Sequence, residues 1–470
     1  MSWTQQAEAP NVFSRPFGPN ETFIKAVGDT GQSVGLDHWA VNCTAMITPG
    51  GIPHQHLTSL MRDAWVHMRF LHPSLAAYPD SSGANLVYNV PSSEEDLQEW
   101  TLQTFTVVSH MDCADDVIAN IGPSALAKLY FVPRTNEIVL HSAHWRTDGI
   151  GGFLLMGQFI DLIVNLASDR QSSTRTIQDA FQSLAWGQEV KRLTPSVEEA
   201  IQAPHPPNEL QEQIASELTG SFAHKIGAIG IPYEGDATTR PSGTRSVKLT
   251  LDPQTTATIV EAVKARGLTV TAAIHASVAS ANHQLAVPEN KDRHYTSTIR
   301  LTLRSYLPEK FFTPSMGSGL YTTGWMMKVD PSSPWQSLAQ EYQKEYRKGY
   351  PEDYLLAHKD YATRLCEFMK SPPPSDAKPP SDVDISSLGV VDTLVARTYG
   401  TAECGLDVTS LDIGINHVTR QGILFVFTFR GQLNLSLAYN EVYHGREQML
   451  RFVDLVKEDL FKHLGMPGSH

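Results

Sequence analysis

Apolar positions recur along the chain at two alternating periods, extended and helical, and that alternation lays out its elements. Residues 38–48, HWAVNCTAMIT, read as a strand closed by Pro49-Gly50-Gly51. From His54 to Leu71, the residues Leu57, Leu60, Met61, Ala64, Trp65 and Met68 share one helical face. His72-Pro73 ends that helix, because a proline ring crowds the residue before it out of the α conformation. A strand, ANLVYNV, follows near 84–90, and SSEEDLQEW then predicts a helix start, with serine capping and carboxylates in the first turn. TFTVV and ALAKLYFVP read as strands, and Pro133-Arg134-Thr135-Asn136 as the hairpin turn into EIVLHSAH. There Ile138, Val139 and Leu140 are apolar on both faces, as in a strand covered on both sides. Alternation puts Ile138, Leu140, Ser142 and His144 on one face and Val139, His141 and Ala143 on the other. After Asp148-Gly149 and two further glycines, FLLMGQFIDLIVNL resumes helical spacing. The first half therefore reads as a mixed sheet flanked by helices, α/β in kind.

Strand signals are sparse between about 168 and 244, where AWGQEVKRLTPSVEEAI and APHPPN suggest a surface crossover. The second half opens with the strand SVKLTL (246–251) and a helix from about Pro253 to Arg266, with Gly267 as its cap. A more buried helix, TVTAAIHASVASANHQLA, carries His275 and His283, which read as packing or surface histidines. TSTIRLTLRSYLP (296–308) alternates, with Ile299, Leu301 and Leu303 on one face and Arg300, Thr302 and Arg304 on the other. MGSGLYTTGWMMKV is a loop entering a strand, two helices follow near 333–348 and 351–369, and SPPPSDAKPPSD (371–382) reads as a mobile linker. DISSLGVVDTLV starts another strand, GILFVFTFR and QLNLSLAYN form a hairpin across Gly431, and a helix near 445–464 closes the chain.

At 470 residues the chain exceeds what one hydrophobic core usually supports, which favours two domains. Hydrophobic residues at 41% and charged residues at 19% describe a soluble globular protein. The net charge of −13 argues against a general nucleic-acid binder. No apolar run is expected to cross a membrane, and MSWTQQAEAP lacks a secretory apolar stretch, so the expected compartment is the cytoplasm. Cys43, Cys113, Cys366 and Cys404 lie far apart with no metal-ligand spacing, and read as reduced structural thiols.

Chemistry concentrates at the end of EIVLHSAHWRTDGIGGF. A strand that runs into a turn just before a helix is a good place for a side chain to meet a substrate. His144 stands at that exit with Asp148 four residues on, spelling HxxxDG. A core histidine beside an ordinary turn is the competing reading. Gly149, Gly151 and Gly152 would permit close approach of backbone or cofactor, or simply punctuate the turn.

The layout resembles the CoA-dependent acyltransferase superfamily, which includes chloramphenicol acetyltransferase, plant BAHD acyltransferases and the condensation domains of nonribosomal peptide synthetases. The resemblance is carried by His144-Trp145-Arg146-Thr147-Asp148-Gly149, HLTSLMRDAWVHMRFLHPSL, TIRLTLRSYLP and SSLGVVD (386–392), and covers nearly the whole chain. WGQEVKRLTPSVEEA looks further like the fungal trichothecene 15-O-acetyltransferase group, whereas the late DFGWG motif of plant members has no match. The resemblance implies an α/β fold of two pseudo-symmetric chloramphenicol-acetyltransferase-like lobes, residues 1–215 and 216–470, set in a V around a central tunnel. It implies a monomer that transfers an acetyl or short acyl group from acetyl-CoA to a hydroxyl of a small fungal secondary metabolite, with no metal.

In that reading His144 is the general base, taking the hydroxyl proton and returning it to the departing thiolate. His141, on the other face of the strand, is not. The resemblance implies that Asp148 turns away and pairs with an arginine, for which strand position ranks Arg304 first and Arg300 second; the competing reading of either is a surface ion pair. Gly149, Gly152, Trp145, Arg304, Tyr321 and Ser387 are the candidate substrate- and cofactor-binding residues. Packing competes with that role for Trp145 and Tyr321, and turn formation for Ser387. Two alternatives keep the fold: a condensation-like enzyme using a carrier-bound donor or an amine acceptor, and a repurposed scaffold that cyclises or isomerises a metabolite.

Overall fold

The computed structural model describes residues 2–169, 177–370 and 378–467. The chain divides into two compact units, each assembled from three stretches. The first holds residues 1–203, 303–321 and 392–413, and the second 204–302, 322–391 and 414–470. A single boundary at residue 215 does not express this division, because two later segments pack with the first unit.

The first unit is built on a six-stranded sheet in the order Thr398–Gly400, Gly405–Ile415, Val41–Gly50, Glu137–Ser142, Lys128–Val132, Phe105–Val107. The strand that leads to His144 is thus interior, antiparallel to both neighbours, with His141 opposite Asn42 on one side and Lys128 on the other. All six of its residues are buried, as a strand apolar on both faces requires. The expected turn at 133–136 joins it to Lys128–Val132, with Val132 opposite Glu137. A second sheet, Thr4–Gln6, Ala9–Pro16, Asn85–Asn89 and Tyr78–Pro79, was legible only in its third strand: Thr4–Gln6 is three exposed residues, and Ala9–Pro16 carries two prolines and no clean alternation.

Helix His54–Leu71 forms with the bounds its periodicity predicts. Trp65 on it is fully buried, stacks on Trp100 at 5.5 Å and donates its indole N–H to Thr104 Oγ1 at 2.9 Å. Packed beside it is Gly149–Ser168, the most apolar helix. Contrary to expectation, this helix is long and apolar enough to cross a membrane by length and composition. Its burial inside the first unit, against the 41–50 strand as well, is instead that of a core helix.

The second unit has a four-stranded sheet ordered Val383–Val390, Gly422–Phe429, Gln432–Asn440, Thr244–Thr250, and a separate antiparallel pair, Tyr295–Thr302 with Thr322–Val329. The hairpin across Gly431 turns on two residues with positive φ, Arg430 (54°) and Gly431 (74°), as the twist of the flanking strands demands. Helix Val270–Leu285, capped by Thr269, packs on Trp335–Lys348 and Arg446–Leu464.

Three further expectations need correction. The strand at 296–308 ends at Thr302, and Arg304–Tyr306 is a 3₁₀ turn, so strand alternation does not apply to Arg304. The crossover region contains a helix, Glu209–Gly220, packed on Glu352–Lys370. Its signal was present: Asn208 and Gln211 form a reciprocal cap, with Ile214, Ala215 and Leu218 at helical spacing. Of the segment read as a linker, 371–377 lies outside the described residues, but Ser381 and Asp382 are buried. Ser381 donates to Ile231 O, and Asp382 is paired with Lys225 at 2.8 Å.

Candidate active site

Two histidines three residues apart meet opposite environments. His141, still in the strand, has no exposed surface and bonds through Nδ1 to Asn42 Oδ1 at 2.8 Å. Burial, reinforced by the Lys128 and Arg146 charges, pushes its imidazole down to about 3. His144 lies past the strand end in a turn closed by Arg146 N–H donating to Ala143 O, and is half-buried. Its Nδ1 sits 3.0 Å from the Thr147 carbonyl. A carbonyl can only accept, so this bond assigns the proton to Nδ1 and leaves the lone pair of the neutral ring on Nε2.

Asp148 caps the helix that starts at Gly149. Its Oδ1 accepts the Gly151 amide at 2.7 Å, and its Oδ2 accepts Arg304 Nη2 at 3.0 Å and the Tyr321 amide at 2.9 Å. The carboxylate is therefore committed to holding backbone and guanidinium in place. Arg304 is buried and also donates to the carbonyls of Phe311, Met316 and Gly319, gathering the whole 311–319 loop around one cation. Thr147 Oγ1 ties to the same loop through Gly317 O at 2.7 Å. Glycine is required at position 151 because a Cβ there would meet Gly317 O, Thr147 Oγ1 and the Arg304 guanidinium. Of the two arginines expected as partners, Arg304 is the one paired with Asp148. Arg300 pairs with Asp384 of the second unit at 2.9 Å.

The remaining candidates are held in packing and backbone contacts, and Ser387 lies in the other unit. Gly149 is the first residue of the helix, and Gly152 packs against the side chains of Cys43 and Val41. Trp145 is buried edge-on against Phe17 at 5.2 Å, with the Arg146 guanidinium 4.3 Å from its ring centroid. Tyr321 is fully buried below Arg304 and donates its hydroxyl to Pro195 O at 2.9 Å. Ser387 lies in the second unit, half-buried beside a bulge, with Oγ 2.8 Å from Thr271 Oγ1. Sequence pattern assigned no individual role to Thr147, Arg146 or Trp39, and it placed Trp39 in a strand that begins only at Val41. Arg146 anchors the turn by donating to Ser74, Ala77 and Ala125 carbonyls, and burial pushes it down to about 9. The ring of Trp39 lies 6.4 Å from that of His144.

Across its whole length the chain is similar to a known enzyme: it is 37% identical over 471 residues to acetyltransferase pigO of Monascus ruber, covering 99% of each chain. The chain belongs to the CoA-dependent acyltransferase superfamily. This acyltransferase is also 27% identical to O-acetyltransferase pigM of the same organism, over 99% of its own length and 88% of the relative's. Its fold matches the solved structure of TRI3, the trichothecene 15-O-acetyltransferase of Fusarium sporotrichioides, with a TM-score of 0.79 at 18% identity, covering 98% of this chain and 97% of that one. No family model matches the sequence. The homologues and the fold together identify an acyltransferase of fungal secondary metabolism.

Proposed function

We propose that this acyltransferase moves an acetyl group from acetyl-CoA to a hydroxyl of a small secondary metabolite, with His144 as general base. The carrying observation is the Nδ1 bond to the Thr147 carbonyl, which supports Nε2 as the basic nitrogen of the ring. The alcohol oxygen attacks the thioester carbonyl while its proton passes to Nε2. The tetrahedral intermediate then expels the thiolate, which takes that proton from the imidazolium, giving the acetate ester and free CoA. No acyl-enzyme forms, and no carboxylate relays charge: a backbone carbonyl orients the ring, and Asp148 with Arg304 fixes the turn that carries it. The names of pigO and pigM support acetyl as the group transferred, and that of pigM supports oxygen as its acceptor.

The test follows thiol release from acetyl-CoA with a panel of ring-bearing and straight-chain alcohols, benzyl alcohol and 1-butanol among them. His144→Ala should lower alcohol-dependent release by about 10²–10⁴-fold. Equal rates in the variant and the parent protein would remove His144 from the chemistry.

A further inference from the structure

We propose that Trp39 is the apolar wall of the acceptor site beside His144, selecting alcohols carried on flat ring skeletons; this rests on His144 as the base. The chain reaches the 41–50 strand through a turn, Asp37 to Ala40, closed by the Ala40 N–H donating to Asp37 O at 3.4 Å. Trp39 is the third residue of that turn and has φ of 64°. Positive φ at this position is the place for glycine, because any Cβ is crowded by the neighbouring carbonyl. For a bulky aromatic it is an outlier, and held strain of this kind gathers at functional sites. Among the described residues the other non-glycine positions with positive φ are Asn136, Gln202 and Arg430, all polar or charged residues of turns and helix ends.

Trp39 is not fully buried, so part of its side chain stays open to a ligand. The indole instead sits at aromatic contact distance from the imidazole of the base, tilted by 54°, with the buried His38 ring 5.5 Å behind it. An indole with open surface at a proton-transfer group offers dispersion and stacking to the carbon skeleton next to a reacting hydroxyl. It offers little to a short flexible chain. The acceptor class this fits is an alcohol on a planar, apolar ring.

Because the backbone favours glycine, removing the indole separates strain from function. In Trp39→Gly the thermal midpoint should hold or rise by a few degrees, while the ratio of kcat/KM for benzyl alcohol over 1-butanol falls about tenfold, chiefly through KM. Trp39→Phe, which keeps a ring, should restore most of the ratio, and the pH profile should stay that of the parent. An unchanged ratio in Trp39→Gly, or a midpoint that drops sharply, would overturn the assignment and make Trp39 a packing residue. If the parent protein transfers acetyl to none of the panel, the acetyl-transfer reading has failed first, and this inference with it.

Discussion

Each unit contains a buried aspartate bound to an arginine from the Tyr295–Arg304 segment, and the two pairs are built differently. In the first unit Arg304 has no exposed side-chain surface and serves four acceptors, Asp148 and three loop carbonyls. In the second unit the Arg300 side chain is 25% exposed and serves Asp384 and the Ile385 carbonyl. Asp384 is held by its own surroundings: it accepts from the Thr298 amide and hydroxyl and from the Ile385 amide. Burial would raise its carboxyl, but the Arg300 and Lys225 charges outweigh it and hold the group well below the usual range. One pair thus knots a loop to the turn carrying His144, and the other satisfies a carboxylate at the end of a strand. Strand position ranked Arg304 ahead of Arg300 as the partner of Asp148; the number of distant groups each one gathers shows how differently the two are used.

The strongest way to break the comparison is to remove each cation. Arg304→Met should cost about 3–5 kcal/mol in chemical denaturation, since it strands a buried carboxylate and three carbonyls. It should abolish acetyl transfer even where the protein remains folded. Equal losses from Arg304→Met and Arg300→Met would mean the pairs are interchangeable. Acidification acts on both units at once. His72 and His358 are pushed down by burial to about 4, and His141 and His275 to about 3. The unfolded chain therefore binds more protons below about pH 6.5, so stability is full above that value. It should fall by about 1.4 kcal/mol per pH unit for each such histidine, down to its folded value. Denaturant midpoints between pH 7 and pH 4 read that slope.

Gly151→Ala sharpens the first half of the comparison, because its Cβ intrudes where Arg304 and Gly317 meet. It should cost about 1–3 kcal/mol and lower kcat more than it raises KM, as expected if the knot positions the turn. Arg300→Met should cost only about 1–2 kcal/mol, since its guanidinium is partly in water, and should raise the Asp384 carboxyl. Stability that depended on ionised Asp384 was present above about pH 4 and lost only as pH fell through the depressed value; in the variant that loss should begin at higher pH, which acid titration of the midpoint detects. Smallest of all, Ser387→Ala removes one hydroxyl bond to Thr271 and should change stability by about 1 kcal/mol or less. A large KM change in that variant would give the second unit a direct part in binding.

Much of the fold lay in short-range pattern. The helix His54–Leu71, the hairpin through Pro133–Asn136, the strand Glu137–Ser142 and the turn at Arg430-Gly431 each follow from spacing and turn chemistry within a few residues. The same holds for the HxxxDG motif itself and for the opposite fates of His141 and His144. The N-terminal strands lack a clean alternation, and the cap and spacing of helix Glu209–Gly220 lie in a polar, proline-punctuated stretch that masks them.

By itself the sequence determined the elements and the HxxxDG turn, because periodicity, capping and β-strand alternation act over neighbouring positions. Only the tertiary structure decided the partner of Asp148, which lies 156 residues away, and the membership of residues 398–415 in the sheet of the first unit. Nor could spacing show that Trp39 stands beside the imidazole. Those choices depend on which distant groups a buried charge or a strained turn meets when the chain closes, and that is set by packing in three dimensions.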